Sequence, residues 1–290
     1  MQLYTINTGM FKLDGGAMFG NAPKTMWQQW ITPDELNRIP IACRALLVET
    51  EQHRILFELG IGFFFEPLWR DRYGVQGSEN MLLKNLQKIG VSEDSIDYIV
   101  ISHLHFDHIG GLLPDWPAMQ EEGWSLRFPR AKYLIGQEQW NHSLHPHKRD
   151  RASYISGVSQ KLLASNRLVL VNQDQVDLPG LKGWLRFRYS EGHTPGLMLS
   201  VLKGATQTLV FCSDLIPGVP WVPTSISMGY DRYAEKCLDE KEELLKEAIA
   251  NQYLLFYTHD AEFAMSKAAL STKGKYYGIG CVKELNGYDF

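Results

Sequence analysis

Three histidines and an aspartate fall within six residues, in the run Ser102-His103-Leu104-His105-Phe106-Asp107-His108. The run follows residues 96–102 (IDYIVIS), an apolar stretch rich in β-branched side chains that reads as a buried strand. In an extended segment His103 and His105 project to the same side, so both can reach one ion. Asp107 and His108 fall in the turn toward Gly110-Gly111, where the backbone can redirect them toward a second ion. Imidazole with carboxylate as the harder partner is the ligand mix of zinc or a similar divalent metal. Four such groups at this spacing are hard to explain as a merely solvated strand end.

Composition narrows what can surround this cluster. The chain has 290 residues, 44% hydrophobic and 21% charged, which excludes disordered and fibrous readings. A chain of this length buries enough surface to fold without a disulfide or a structural metal. The formal net charge of −4 argues against a nucleic-acid binder, which needs a basic face to displace counterions. No apolar run reaches the 18 or so residues of a membrane span, so no membrane partner is expected. Cys43, Cys212, Cys237 and Cys281 form no Cys-x-x-Cys pair, and no signal-peptide pattern opens the sequence. The expectation is a cytoplasmic protein with free thiols.

Along the chain, residues 1–40 read as an aromatic-rich, turn-rich loop segment. Residues 44–50 and 54–59 read as a β-hairpin. Residues 78–90 read as a helix with Ser78 as its cap, Leu82, Leu86 and Ile89 on one face, and Gly90 as its stop. Residues 112–165 read as a loop and helix insertion. Strands are expected near 167–171, 184–189, 197–202 and 207–211. A helix over 233–250, with Leu238, Leu245 and Ile249 on its buried face and Glu242 preceding Lys246, leads to a last strand over 253–258. Layered α and β elements around one core predict a single α/β (α+β) domain over 1–290.

The motif His-x-His-x-Asp-His resembles the metal-binding signature of the metallo-β-lactamase superfamily. The chain continues the pattern in order with Gly192-His193-Thr194-Pro195-Gly196, then Phe211-Cys212-Ser213-Asp214, then Thr258-His259-Asp260. The similarity spans about residues 40–262. It implies an αββα four-layer sandwich with two divalent metal ions at one edge. Zinc is the expected metal, and iron, manganese and cobalt accept the same ligands. Carried over by position, His103, His105 and His193 would hold one ion, Asp107, His108 and His259 the other, and Asp214 would bridge both. Two ions bracketing a hydroxide would make a hydrolase without a serine or cysteine nucleophile. No Gly-x-Ser-x-Gly elbow offers one.

Asp107, the one acid inside the cluster, is the candidate for orienting the nucleophile and passing a proton to the leaving group. Where relatives commonly carry Asp-x-Gly, this chain has Glu58-Leu59-Gly60, with Glu58 expected to orient a histidine from behind, its longer side chain shifting the carboxylate. Phe19, Trp27, Phe63, Phe64 and Trp69 flank the first hairpin and are candidates for an apolar substrate pocket, for core, or for a contact in a homodimer. His142, His145 and His147 read as a solvated basic loop with no carboxylate, and His53 as a turn residue. Cys212 reads as a packed thiol rather than a ligand.

Residues 13–20 (LDGGAMFG), Pro23-Lys24 and Met228-Gly-Tyr-Asp231 make the pattern most similar to the N-acyl homoserine lactonase and methyl-parathion-hydrolase branch. That implies a metal-dependent hydrolase acting on a lactone or another small-molecule ester. The alternatives are a phosphotriesterase, a glyoxalase-II-like thioesterase, or a catalytically silent metal-binding or redox module. Leu215-Ile216-Pro217 follows Asp214 where some lactonases carry a tyrosine, and Tyr230 is the candidate replacement.

Overall fold

The computed structural model describes residues 1–290 apart from 122, 175 and 176. The chain divides into two compact units. The first comprises Met1–Phe11, Ala42–Asn172 and Asn286–Asp289, and the second Lys12–Ile41, Gln173–Leu285 and Phe290.

The first unit is built on β1 (Gln2–Asp14), β2 (Arg38–Glu49), β3 (Arg54–Phe57), β4 (Tyr98–Ile101), β5 (Lys132–Gly136) and β6 (Leu168–Val171), with a later strand, Asn286–Asp289, added beside β1. The sheet runs from that late strand through β1, β2, β3, β4 and β5 to β6. β2 and β3 form the expected antiparallel hairpin, with Leu46 opposite Phe57. From β3 to β6 the strands are parallel. Inner parallel strands are covered on both faces, so all four residues of β4 are buried. Leu56, Ile99, Ile101 and Tyr133 join Leu82, Leu86 and Leu162 from flanking helices in one apolar core. The parallel direction matters for the site, because the ends of β3 and β4 then open on the same edge of the sheet.

The second unit carries β7 (Leu185–Ser190), β8 (Leu197–Lys203), β9 (Thr208–Phe211), β10 (Leu254–Phe256), β11 (Met265–Leu270) and β12 (Tyr276–Val282), in the sheet order β12-β11-β10-β9-β8-β7. The late strand Asn286–Asp289 is β13. β9 and β10 are the parallel pair, with Phe211 beside Phe256. The helix Ala234–Asn251 buries Cys237, Lys241, Leu244, Leu245 and Ala248, with Leu244, Leu245 and Ala248 in a core that includes Leu199, Val210 and Tyr257.

Several expectations are corrected. Residues 1–40 are not only loop, since β1 is a 13-residue strand whose Thr, Asn and Gly dilute its apolar alternation. The 112–165 segment contains β5, an interior strand too short to show a period. Residues 253–258 do not hold the last strand, because β11, β12 and β13 follow. The helix expected from Ser78 runs over Met81–Lys88, capped by the Asn80 side chain, which accepts from the Leu82 amide. Gly90 ends that segment in a left-handed conformation, φ +76°, and Ile89 is exposed rather than on the buried face. In Ala234–Asn251, Leu238 and Ile249 are only partly buried, and Lys241 occupies the buried line. Among the described residues, no helix is long and apolar enough to cross a membrane.

Candidate metal centre

In the first unit, β4 delivers Ser102 and His103 directly past its end, and a short helix over Phe106–Ile109 follows His105. His103 and His108 are fully buried, and His105 and Asp107 nearly so. The imidazole of His103 lies 4.4 Å, centroid to centroid, from that of His105 and 4.0 Å from that of His108. The short helix turns His108 back onto His103, a tighter grouping than an extended strand would give. Gly110 permits this turn, since a Cβ there would stand 2.0 Å from the Ile61 carbonyl oxygen.

Glu58 braces this group from behind. Its Oε2 lies 3.0 Å from His108 Nδ1, and its Oε1 accepts the Ser102 amide at 2.8 Å. The Glu58 carboxylate is buried, and its backbone is left-handed at φ +67°, a strained choice for a residue with a Cβ. Ser102 Oγ is in turn 2.8 Å from His103 Nδ1.

In the second unit, His193 follows β7, Asp214 lies in the turn after β9, and His259 follows β10. The parallel β9–β10 register brings the last two together. Asp214 Oδ2 is 3.2 Å from His193 Nε2, and its Oδ1 is 3.1 Å from His259 Nε2. One carboxylate thus serves two imidazoles, one on each oxygen. Ser213, just before it, is left-handed at φ +43°. His193 Nδ1 is 2.9 Å from Asp231 Oδ1, and Asp231 Oδ2 accepts the Met228 amide at 2.8 Å. Asp260 fixes the turn after His259 by accepting the amides of Val219, Glu262 and Phe263.

These donor sets fit divalent cations. Two ligands at 2.0–2.2 Å from a tetrahedral ion stand roughly 3.3 Å apart, close to both Asp214–histidine distances. His103, His108 and His193 each have Nδ1 engaged by an oxygen, which leaves Nε2 as the ligand nitrogen. Ser102, Asp231 and Asp260 were not foreseen as supporting residues. For Asp231 the signal was present, an acid closing Met228-Gly-Tyr-Asp231, but its distance from His193 in sequence hid the contact.

Other candidates are placed as follows. Phe19 and Trp27 are buried in a ring stack with Trp221, at centroid distances of 4.7 Å from Phe19 to Trp221 and 5.5 Å from Phe19 to Trp27. Neither presents surface to a ligand. Phe63 lies under the Arg70 guanidinium, Phe64 packs on Phe65, and Trp69 is exposed beside Tyr73. Tyr230 is 39% exposed. Burial pushes the Cys212 thiol up, in keeping with a packed thiol. The His142 loop does have a carboxylate, contrary to expectation: Asp150 Oδ2 is 2.8 Å from His142 Nε2, while His145 and His147 are exposed.

Comparison with known proteins places this arrangement. The family described as the metallo-β-lactamase superfamily matches residues 38–114, the stretch that contains Glu58 and the whole His103–His108 cluster. Over that stretch the chain is similar to the metallo-β-lactamase superfamily. A second family, the anti-Pycsar protein Apyc1, matches residues 79–153. An N-acyl homoserine lactonase of Bacillus thuringiensis is 25% identical over 205 residues, 67% of each chain. A solved structure of a probable metal-dependent hydrolase from Staphylococcus aureus superposes with a TM-score of 0.84 at 25% identity, covering 99% of this chain and 98% of that one. A dizinc quorum-quenching lactonase, AidC, solved with its product N-hexanoyl-L-homoserine, gives a TM-score of 0.73 at 22% identity over 96% and 93% of the two chains. With these relatives, the chain stands among metal-dependent hydrolases that act on ester bonds.

Proposed function

We propose that this metal-dependent hydrolase opens lactones or closely related small esters. In this reading His103, His105 and His193 hold one divalent ion, Asp107, His108 and His259 hold a second, and Asp214 serves both, with zinc the expected metal. The observation that carries it is the Asp214 carboxylate, whose two oxygens each face the Nε2 of a different histidine. The lactonase named among the relatives over two thirds of its length supports the choice of substrate class.

When bound, the ions bring the pKa of water from 15.7 toward about 7 and polarise a carbonyl oxygen. The protein's own groups do the rest. Glu58 and Asp231 keep the histidines in the tautomer that presents Nε2. The Asp107 carboxylate takes the proton from the attacking water and returns it to the leaving alkoxide oxygen. Tyr230 contacts the substrate, so its removal weakens turnover more than metal content.

The test is a hydrolysis panel with zinc-reconstituted protein: acyl-homoserine lactones, simple lactones, aryl esters, thioesters and phosphotriesters. Lactones should give the highest kcat/KM. A higher value for phosphotriesters or thioesters would overturn the substrate assignment, and two ions bound without turnover of any of them would overturn the enzyme reading.

A further inference from the structure

Two neighbouring residues of the helix Ala234–Asn251 spend their charges mostly on backbone groups of other segments. Glu240 accepts the Ser190 hydroxyl at 2.6 Å, the Glu191 amide at 3.0 Å and the Gly192 amide at 3.1 Å. Lys241 is 1% exposed, and its Nζ donates to the carbonyl oxygens of Trp221 at 3.0 Å, Pro223 at 3.3 Å and Ile226. A buried ammonium is costly unless its donors are engaged, so its retention on the apolar side of a helix marks a specific task.

The two segments these residues grip meet at one histidine. Residues 190–192 run directly into His193. The 221–226 loop runs into Met228 and Asp231: Asp231 Oδ1 faces His193 Nδ1, and its Oδ2 is held by the Met228 amide. The two residues leading into the same helix seal the junction: the Tyr233 amide donates to the Gly192 carbonyl at 2.8 Å, and the Arg232 amide to that of His193 at 3.1 Å. Gly192 is pressed so close that a Cβ there would stand 2.3 Å from Cys237 Cα.

We propose that Glu240 and Lys241 are positioning residues for His193, Glu240 by fixing the backbone entering it and Lys241 by fixing the loop that brings Asp231 to its ring. The inference rests on the reading of His193 as a metal ligand. An acid and a base at adjacent helix positions suit the task, because one side needs an acceptor for amides and the other a donor for carbonyls.

The experiment compares Glu240→Gln, Lys241→Met, the milder Ser190→Ala and, as a control on the same helix, Glu243→Gln. Amide hydrogen exchange is followed in metal-free protein, and zinc affinity by chelator competition. The cobalt(II)-loaded absorption spectrum reports ligand geometry. The expected result for Glu240→Gln is an exchange rate at Glu191 and Gly192 raised about tenfold or more, with zinc bound about 10–100-fold more weakly. Lys241→Met should weaken zinc similarly and raise exchange at Met228, while Ser190→Ala moves in the same direction as Glu240→Gln by less and Glu243→Gln changes nothing. Should Glu240→Gln not fold, Ser190→Ala decides for Glu240; should Lys241→Met not fold, Lys241→Gln, which keeps a shorter donor, decides for Lys241 by exchange at Met228.

Unchanged exchange and zinc affinity in the folded variants would overturn the inference while leaving the metal reading intact. If instead the wild type binds no zinc, the metal reading fails, and so does the assignment of these residues to a ligand. Exchange alone would then show whether they hold the backbone.

Discussion

Replacing Glu58 by glutamine separates two effects that usually fall together. The carboxylate takes one donor on each oxygen, the Ser102 amide and His108 Nδ1. Glutamine keeps the shape but has a single acceptor. The Ser102 amide can only donate, so it claims the amide oxygen, and the glutamine NH2 is left facing His108 Nδ1. In metal-free protein the imidazole adapts by shifting its proton to Nε2, so that Nδ1 accepts from the glutamine NH2. The stability loss is then about 1 kcal/mol, the difference between a charge-assisted and a neutral hydrogen bond. With the proton on Nε2, however, His108 no longer presents a lone pair to an ion. Restoring it sets two donors against each other in a buried site, at about 1–3 kcal/mol. At about 1.4 kcal/mol per decade, that is roughly a 10–100-fold loss of metal affinity. Urea unfolding of metal-free protein and chelator competition for zinc give the two numbers independently. Glutamine that binds zinc like the wild type, or that loses several kcal/mol without metal, would refute the tautomer argument.

Asp107→Asn should leave turnover about 10²–10⁴-fold lower if this acid carries the proton, read as kcat on the best lactone. Retention of both ions with normal turnover would remove it from the chemistry. Adding zinc at a hundred times its dissociation constant should stabilise metal-free protein by about 2.7 kcal/mol per bound ion in chemical denaturation, and His259→Ala should lose the second ion's share of this gain at the same free zinc while keeping the first's. Asp34 is held at a pKa of about 2, chiefly by the Arg38 amide and then by the Lys12 and Arg38 side chains. Its folded-state pKa lies below the unfolded one, so its stabilisation is present above about pH 4 and fades as pH falls through about 2. A pH series of denaturation midpoints should therefore show Asp34→Asn converging on the wild type toward pH 2.

Much of the site could be read from the chain because its residues cluster in sequence or follow strands. His103 to His108 are six consecutive residues past β4, and the apolar run before them marks its own end. Asp214 and His259 lie just past β9 and β10, which show as short apolar runs ending in an aromatic residue. What stayed hidden was support arriving from a distance. Asp231 reaches His193 across 38 residues and Asp150 reaches His142 by folding back a loop, contacts that no local period encodes. Lys241 interrupts the apolar face of its helix because its partners are carbonyls of another segment, so its burial contradicts its type. Phe19 and Trp27 looked equally suited to a pocket or a core, and only the stack on Trp221, some 200 residues away in sequence, separates the two.

The pairing of β13 with β1 bears on how the chain matures. Tyr288 lies opposite Leu3, yet the residues between include all of β7 to β12. On a ribosome, the first unit's sheet stays open along β1 until every strand of the second has been made. During that interval β1 presents an unpaired edge, the kind of surface on which nascent chains associate. A release of the chain before residue 286 would make that exposure permanent, which sets aggregation during synthesis, rather than loss of any ligand, as the first defect of such a product.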